Sequence, residues 1–231
     1  VPCSGRLPPG LPLLAFGLRR QPRPELIETP VKISPLDPRV WPFLLAGFGM
    51  FPALGFIQVI TGFVVQDRLR LDAETTGLVT GGALVAAGVG MILAQAIIVP
   101  RSGWRPATLL RVGGVISLVG FVVLVFDAGA VLLFVAILII GLGLGIAMPG
   151  YTAGPTLLVT REEQGGLAGL IGATTGLTFV VAPTAGTALY GVWAPLPIIV
   201  AATIMTIVAV FVIVHPRFRR MPAVADAGVA K

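Results

Sequence analysis

The side chains that could take part in chemistry in the long apolar segments of this 231-residue chain are amides and hydroxyls. Such groups donate and accept hydrogen bonds, and an amide left in lipid without a partner is costly. Among them are Gln58, Thr61, Thr80, Gln95, Ser117, Tyr151, Thr152, Thr174, Thr175 and Thr178. Most threonine hydroxyls in membrane helices bond to their own backbone. We therefore expect the two glutamines to face a cavity or a neighbouring helix, with Gln58 the first candidate.

Catalytic and metal-binding patterns are absent from the sequence. It has no HExxH motif, no histidine cluster, no Walker lysine loop and no nucleophile elbow. The single cysteine is Cys3 and the single histidine is His215, which excludes a disulfide framework or a Cys-based metal site. The Gly141–Gly145 glycine pattern lies inside an apolar run and not between a strand and a helix, so it does not indicate nucleotide binding. We expect no enzyme activity, no metal and no cofactor.

The composition of this chain indicates an integral membrane protein. Hydrophobic residues make up 56% of the chain and charged residues 11%, whereas a soluble domain has roughly 25% charged residues. Long segments contain no charged residue at all: Trp41–Val65, Gly77–Val99, Val112–Phe126, Ala128–Thr160 and Gln164–Val214. About 20 apolar residues in a helix cross a bilayer core of about 30 Å.

These segments predict an all-α membrane protein with six transmembrane helices at residues 41–65, 77–99, 107–126, 130–159, 167–190 and 196–214. Gln164–Val214 would form a single helix of about 76 Å, so it is divided at the Gly and Pro residues of 191–197. Residues 1–40 are rich in proline and basic residues and predict a linker, in which Leu11–Leu18 could be the end of a preceding helix. Residues 215–231 form a basic tail.

Basic residues lie mostly on one side of the six predicted spans. Thirteen lie on the side of the two termini and two lie on the other side. Because cytoplasmic loops collect Lys and Arg, both termini are predicted to be cytoplasmic. This asymmetry explains the net charge of +6 by orientation in the lipid bilayer, and not by nucleic acid binding. Arg111, one turn inside the third span, can extend its side chain to the interface.

Small residues and prolines indicate how the spans pack and bend. Close helix approach in lipid depends on Gly and Ala, because lipid offers no hydrophobic drive for association. We expect Gly82 and Gly90 in the second span, and Gly169 and Gly176 in the fifth, to lie at helix contacts. The alternative is that Gly and Ala are simply common in membrane helices. Pro183 removes a backbone hydrogen bond, which bends the helix; the bend suits either a rocking protein or a static shape.

Two local patterns carry a family resemblance. Arg101-Ser-Gly103-Trp-Arg105 resembles the degenerate second copy of the loop motif G-x-x-x-D-R-x-G-R-R of the major facilitator superfamily, with Ala96 at the glycine and Pro100 at the acid. The second pattern resembles the tenth and eleventh helices of drug-efflux facilitators. It comprises Pro149-Gly-Tyr151, Arg161-Glu-Glu163-Gln-Gly165, Gly169, Gly172, Gly176, Ala182-Pro183-Thr-Ala-Gly186 and Tyr190.

The resemblance covers about residues 41–220 and implies the C-terminal six-helix half of a 12-helix facilitator. It implies a multi-pass protein of the cell (inner) membrane that exports small amphipathic compounds, with protons as the coupling ion. The missing N-terminal half would be its partner, since such proteins rock two halves around a midplane site. The first and fourth helices of each half line the cavity, which nominates Gln58, Thr61, Met148 and Tyr151. Arg101, Gly103 and Arg105 would form a gating loop, and Gly186 with Pro183 would shape the fifth span.

A different function class stays open on the sequence alone. A six-span protein could be a scaffold or a permease subunit that needs a partner ATPase. Such a subunit should offer a charged helical coupling loop, and the loops at residues 100–106 and 160–164 are short. The chain starts at Val1 without a signal peptide, and we expect it to be a fragment of a longer transporter.

Overall fold

The computed structural model describes residues 31–219. Most of the predicted linker, with Cys3 and Leu11–Leu18, and the tail from residue 220 lie outside the described residues. Residues 31–219 contain no strand and six helices long and apolar enough to cross a membrane, which confirms the predicted fold class. These are α1 (Trp41–Leu69), α2 (Ala73–Ser102), α3 (Pro106–Val125), α4 (Gly129–Thr156), α5 (Gln164–Val192) and α6 (Leu196–Val214). A single turn, α7 (Pro216–Arg219), follows.

The turns between helices are short, so consecutive helices run in opposite directions. We call the end of the bundle with the start of α1, the α2–α3 turn, the α4–α5 turn and α7 the first end. The other end, with residues 70–72, 126–128 and 193–195, is the second end.

The first turn is shorter than the predicted loop at residues 66–76. Residues 66–69 continue α1, and α2 begins at Ala73. Arg70 ends α1 in the left-handed region with φ 49°, and its N–H donates to the Gln66 carbonyl. The Asp72 carboxylate accepts a hydrogen bond from the Thr75 N–H and caps α2. Asp67 and Arg68 therefore belong to the last turn of α1, and Glu74 to the first turn of α2. Both helices continue past the apolar segments that the sequence marks as membrane-spanning, because their ends are capped.

Helix α2 contains one wide turn near the first end. Residues Ala94–Ile98 form a π-helical turn, in which the Val99 N–H donates to the Ala94 carbonyl. Pro100 follows immediately and lacks an N–H, so the regular ladder of hydrogen bonds is interrupted there. Gln95 lies within this turn with an exposed side chain.

The six helices are two sets in chain order, α1–α3 and α4–α6. The first helix of each set packs mainly on the second and third helices of the other set. Helix α1 packs on α5 and α6 of the second set, and α4 packs on α2 and α3 of the first set. Contacts of α1 with α4 and of α3 with α6 join the two sets. As a result α1 and α4 lie at the centre. In the apolar 18-residue segment of each helix, 61% of the residues of α1 and 56% of those of α4 are buried, against 22% for α2 and 17% for α5.

Glycine permits the close approach of α2 to α4. A Cβ atom at Gly90 would lie 2.5 Å from the Leu138 carbonyl oxygen, and one at Gly141 would collide with the Ala87 backbone. A Cβ atom at Gly82 would lie 3.3 Å from the Phe134 ring, and one at Gly186 of α5 would lie 3.1 Å from the Phe56 ring of α1. The contacts at Gly90 and Gly141 let dispersion forces act directly between the α2 and α4 backbones, where lipid provides no hydrophobic attraction.

The small residues of α5 lie elsewhere. A Cβ atom at Gly165, Gly169, Gly172 or Gly176 would have no atom of another described helix within 4 Å. Their role in helix packing stays a prediction, and it requires a partner beyond the described residues.

A matched pair of substitutions in α2 tests the α2–α4 contact. We expect Gly90→Ala to lower the free energy of unfolding by about 1–3 kcal/mol, because the new methyl group is forced against the α4 backbone. Gly88→Ala is the control, since its Cβ would meet nothing within 4 Å and alanine favours helix. Denaturant unfolding of both variants in the same detergent measures the difference, and equal stabilities would contradict the assigned contact.

Candidate functional site

Gln58 lies exposed on the strip of α1 between α2 and α5. A Cβ atom at Gly62, four residues after Gln58, would lie 3.8 Å from the Thr80 methyl group of α2. A Cβ atom at Gly55, three residues before Gln58, would lie 2.7 Å from the Ala182 Cβ of α5. The Gln58 amide is therefore an uncharged polar group presented from a central helix between the two least buried helices.

Tyr151 lies at the junction of α1 and α4, on the same side of α1 as Gln58. Its ring lies against the backbone of Gly47, where a Cβ would collide with it, and meets Phe51 edge-on with ring centroids 5.1 Å apart. Phe51 and Gln58 are seven residues apart, two turns of one helix, and so share a face. The glycine at position 47 is required by this close approach, since any side chain there would displace the ring.

The hydroxyl group of Tyr151 is buried and forms no hydrogen bond with any of residues 31–219. The hydroxyls of Thr174 and Thr175 on α5 are polar neighbours, and they donate to the carbonyls of Leu170 and Ile171 at 2.8 and 2.9 Å. A hydroxyl that donates to its own helix retains lone pairs. The Tyr151 O–H is thus a donor that a small shift of α5, or a bound ligand, could satisfy.

The other two candidates from the sequence lie in different surroundings. Met148 is partly buried and lines a small apolar void with Leu144, Phe51 and Tyr151. Thr61 is buried, with 4% of its surface exposed, and its hydroxyl donates to the Ile57 carbonyl. Thr61 lines a second apolar void, which is bordered by residues of α1, α3, α4 and α6. The structure brings Met148 and Tyr151 together beside α1 and places Thr61 in the core.

The predicted gating loop forms the α2–α3 turn. Gly103 has φ +58°, a left-handed conformation in which a side chain would be strained. The Ser102 hydroxyl donates to the Val99 carbonyl and accepts from the Trp104 N–H. Arg101 occupies the last turn of α2, where its positive charge interacts favourably with the negative end of the helix dipole. Arg105 occupies the N-cap position of α3. The role of the two arginines in gating stays a prediction.

Two ionic clusters were not found by sequence reasoning. At the second end, the Arg68 guanidinium donates to the carbonyls of Leu124 and Phe126 at 2.9 and 3.2 Å, which are free carbonyls at the end of α3. Asp127 lies 3.9 Å from it. The neighbouring Asp67 carboxylate accepts a hydrogen bond from the Tyr190 hydroxyl of α5. These residues tie α1 to α3 and α5, and nothing in their local sequence indicates partners more than 50 residues away.

The second cluster links α1 to the α4–α5 turn at the first end. Arg39 donates to Glu163 and Asp37, each at 2.8 Å, and to the Leu158 carbonyl at 3.4 Å. These hydrogen bonds from Arg39 hold the pKa values of the Glu163 and Asp37 carboxyl groups below their ordinary values. Glu163 also accepts from the Thr160 N–H at 2.9 Å. The cluster fixes the entry of α1 beside the start of α5.

Comparison with known proteins gives the family. No family model matches the chain. A class C tetracycline resistance protein from Escherichia coli is 30% identical over 186 residues, which cover 77% of this chain and 42% of that relative. A class G tetracycline resistance protein from Vibrio anguillarum is 29% identical over 180 residues, which cover 71% of this chain and 44% of the relative. The chain belongs to the major facilitator superfamily.

The predicted family is therefore confirmed, and the six helices fit half of a facilitator fold. The chain spans less than half the length of the curated relatives that it matches. The Gln58 strip and the Tyr151 junction lie on α1 and α4, the two central helices of this facilitator half.

The Arg39–Glu163 pair predicts a pH-dependent stability. Because the pKa of Glu163 is lowered in the folded chain, its contribution is complete above the unfolded pKa of about 4.3 and is lost as the pH falls through the lowered value. Glu163→Gln should reduce the melting temperature at pH 7, and this reduction should become smaller in acid, as the pH falls through the lowered folded pKa of Glu163. In an Arg39→Gln background the same change should matter little at pH 7 or in acid. An equal loss at pH 7 and in acid would contradict this assignment.

Proposed function

We propose that this chain is the C-terminal six-helix half of a proton-linked exporter of small amphipathic compounds. The observation that carries the proposal is the exposed Gln58 amide on α1 between α2 and α5, in an otherwise apolar surrounding. A polar group is costly in lipid, so Gln58 is best explained as part of the wall of a water-filled cavity. The relatives named as tetracycline resistance proteins support export of a drug-like compound.

The other wall of the cavity would come from the N-terminal half. Helices α2 and α5 are the least buried of the six, and α5 exposes the row Gly165, Gly169, Gly172 and Gly176. Small residues of this kind accept a helix at close distance. An uncovered glycine row beside an exposed amide suits a second half that closes against this one and separates from it as access alternates.

The chemistry of the wall favours an amphipathic substrate. Tyr151, Phe51 and Met148 supply aromatic and polarisable apolar surface, while the Gln58 amide offers one donor group and one acceptor group. No carboxylate lies deep inside a span of residues 41–214, so the proton-binding group would belong to the N-terminal half. Tetracycline is the first compound to test, because both relatives carry its name.

We propose that Arg101 and Arg105 hold the first ends of α2 and α3 together in one access state. Gly103 makes the turn tight, and both arginines can donate to the free carbonyls at the end of α2. The planar donor fork of arginine is needed for this role, and a lysine would keep only the charge.

Transport by the complete protein tests the function. In everted vesicles with an imposed proton gradient, we expect tetracycline to accumulate and a protonophore to release it. Gln58→Leu should lower the transport rate about fivefold to tenfold, the value of one hydrogen bond to the substrate. Gln66→Leu, an exposed amide near the end of the same helix, should leave the rate unchanged. No accumulation of tetracycline or other amphipathic drugs, or equal effects of both variants, would refute the proposal.

Cysteine labelling tests the proposed orientation, with both termini in the cytoplasm. In a Cys3→Ser background, we expect Ser102→Cys and Glu162→Cys to resist a membrane-impermeant thiol reagent in intact cells. Ala73→Cys, at the second end, should react. All three react once the cells are permeabilised. Labelling of Ser102→Cys in intact cells as fast as Ala73→Cys would reverse or refute the orientation.

A further inference from the structure

A groove between α3 and α6 opens on the outer side of the bundle near the first end. Its volume is about 360 Å³, and it is lined by Arg111, Val112, Val115, Ile116 and Ile213. The opposite side of α3 packs on α4, where Gly113 and Ser117 are buried. Val115 and Val119, which are 42% and 50% exposed, continue the groove side of α3 toward the second end. The groove is therefore an apolar surface of the kind that contacts lipid chains.

Arg111 is a cation in this groove whose hydrogen bonds are incomplete. Its Nε–H donates to the Val212 carbonyl near the end of α6 at 3.2 Å. This is the one hydrogen bond that Arg111 forms with residues 31–219, and its Nη2 atom is buried without an acceptor. No carboxylate of the described residues forms an ion pair with it. A guanidinium has five N–H donors, so most of those of Arg111 have no acceptor among residues 31–219.

The depth of Arg111 places these donors below the membrane interface. It lies five residues from the start of α3, which corresponds to about 8 Å along the helix. Helix α3 has 20 residues, which just spans a hydrocarbon core of about 30 Å. At that depth water is scarce, and the acceptors that an arginine side chain can reach are lipid phosphates.

We propose that the α3–α6 groove binds one anionic phospholipid, with its phosphate on Arg111 and an acyl chain along Val115, Ile116 and Ile213. The Nη1 group of Arg111 has no acceptor among residues 31–219 and, unlike Nη2, is not buried, so it is the group that can donate a charge-assisted hydrogen bond to the phosphate. The aliphatic lining explains why a whole lipid binds and a soluble phosphate does not. Bound there, the lipid bridges α3 and α6, which belong to different sets of three helices.

Lipid titration tests this site on the purified 231-residue chain in a neutral detergent. The probe is dioleoyl phosphatidylglycerol, with dioleoyl phosphatidylcholine as the zwitterionic comparison, and the measurements are lipid retention by native mass spectrometry and the melting temperature. We expect phosphatidylglycerol to be retained and to raise the melting temperature more than phosphatidylcholine. Arg111→Gln should weaken retention about tenfold, the size of one charge-assisted hydrogen bond. Arg161→Gln removes an exposed charge at the same end and should have little effect.

A second variant keeps the test informative if Arg111→Gln folds poorly. Val115→Trp fills the groove and retains Arg111, and it should also weaken retention of phosphatidylglycerol. Inorganic phosphate at equal concentration should give no stabilisation. The proposal is overturned if Val115→Trp retains the lipid as the unmodified chain does, if phosphate stabilises equally, or if Arg161→Gln weakens retention as much as Arg111→Gln.

Discussion

The packing of this six-helix bundle depends on how closely the backbones of the neighbouring helices α2 and α3 can approach α4. Lipid tails are as apolar as leucine side chains, so burying apolar surface gives no net attraction between helices. Attraction must come from dispersion contacts at short range, and α4 supplies them through glycine. Gly141 and Gly145 face the α2 backbone, and Gly143 faces α3 at Ser117. Because α4 contacts both helices in this way, it becomes a central helix and leaves one side of α2 uncovered.

The second constraint is the satisfaction of carbonyl groups at helix ends. The last four carbonyls of a helix have no partner within it, and an unpaired carbonyl near lipid is costly. In this chain arginines from other helices meet that need. Arg68 of α1 binds the Leu124 carbonyl at the end of α3, and Arg111 of α3 binds the Val212 carbonyl at the end of α6. The same arginines join helices that are distant in sequence, so helix capping and tertiary contact are one interaction here.

These two constraints explain why the polar groups of the candidate site remain available. Glycine contacts and arginine caps fix α1 and α4 without using the Gln58 amide or the Tyr151 hydroxyl. Gly47 allows the tyrosine ring to lie on α1, and Phe51 packs against its edge. The result is a central, well-packed pair of helices with unused hydrogen-bonding capacity, which is a suitable starting point for ligand recognition.

The sequence by itself determined the six spans, the helical class and the family, because charge and apolar length decide what can cross a bilayer. It also indicated Gln58, since an amide stands out in a run of apolar residues. Tertiary structure decided which small residues meet a neighbour. Gly90 and Gly169 look alike in sequence, yet Gly90 lies against α4, whereas a Cβ atom at Gly169 would have no other helix of the described residues within 4 Å. The tertiary structure also placed Thr61 in the core and left Gln58 exposed. It paired Arg39 with Glu163, and Arg68 with the end of α3. Such pairings join residues up to 124 positions apart, and local sequence carries no information on which distant helix end will need a donor.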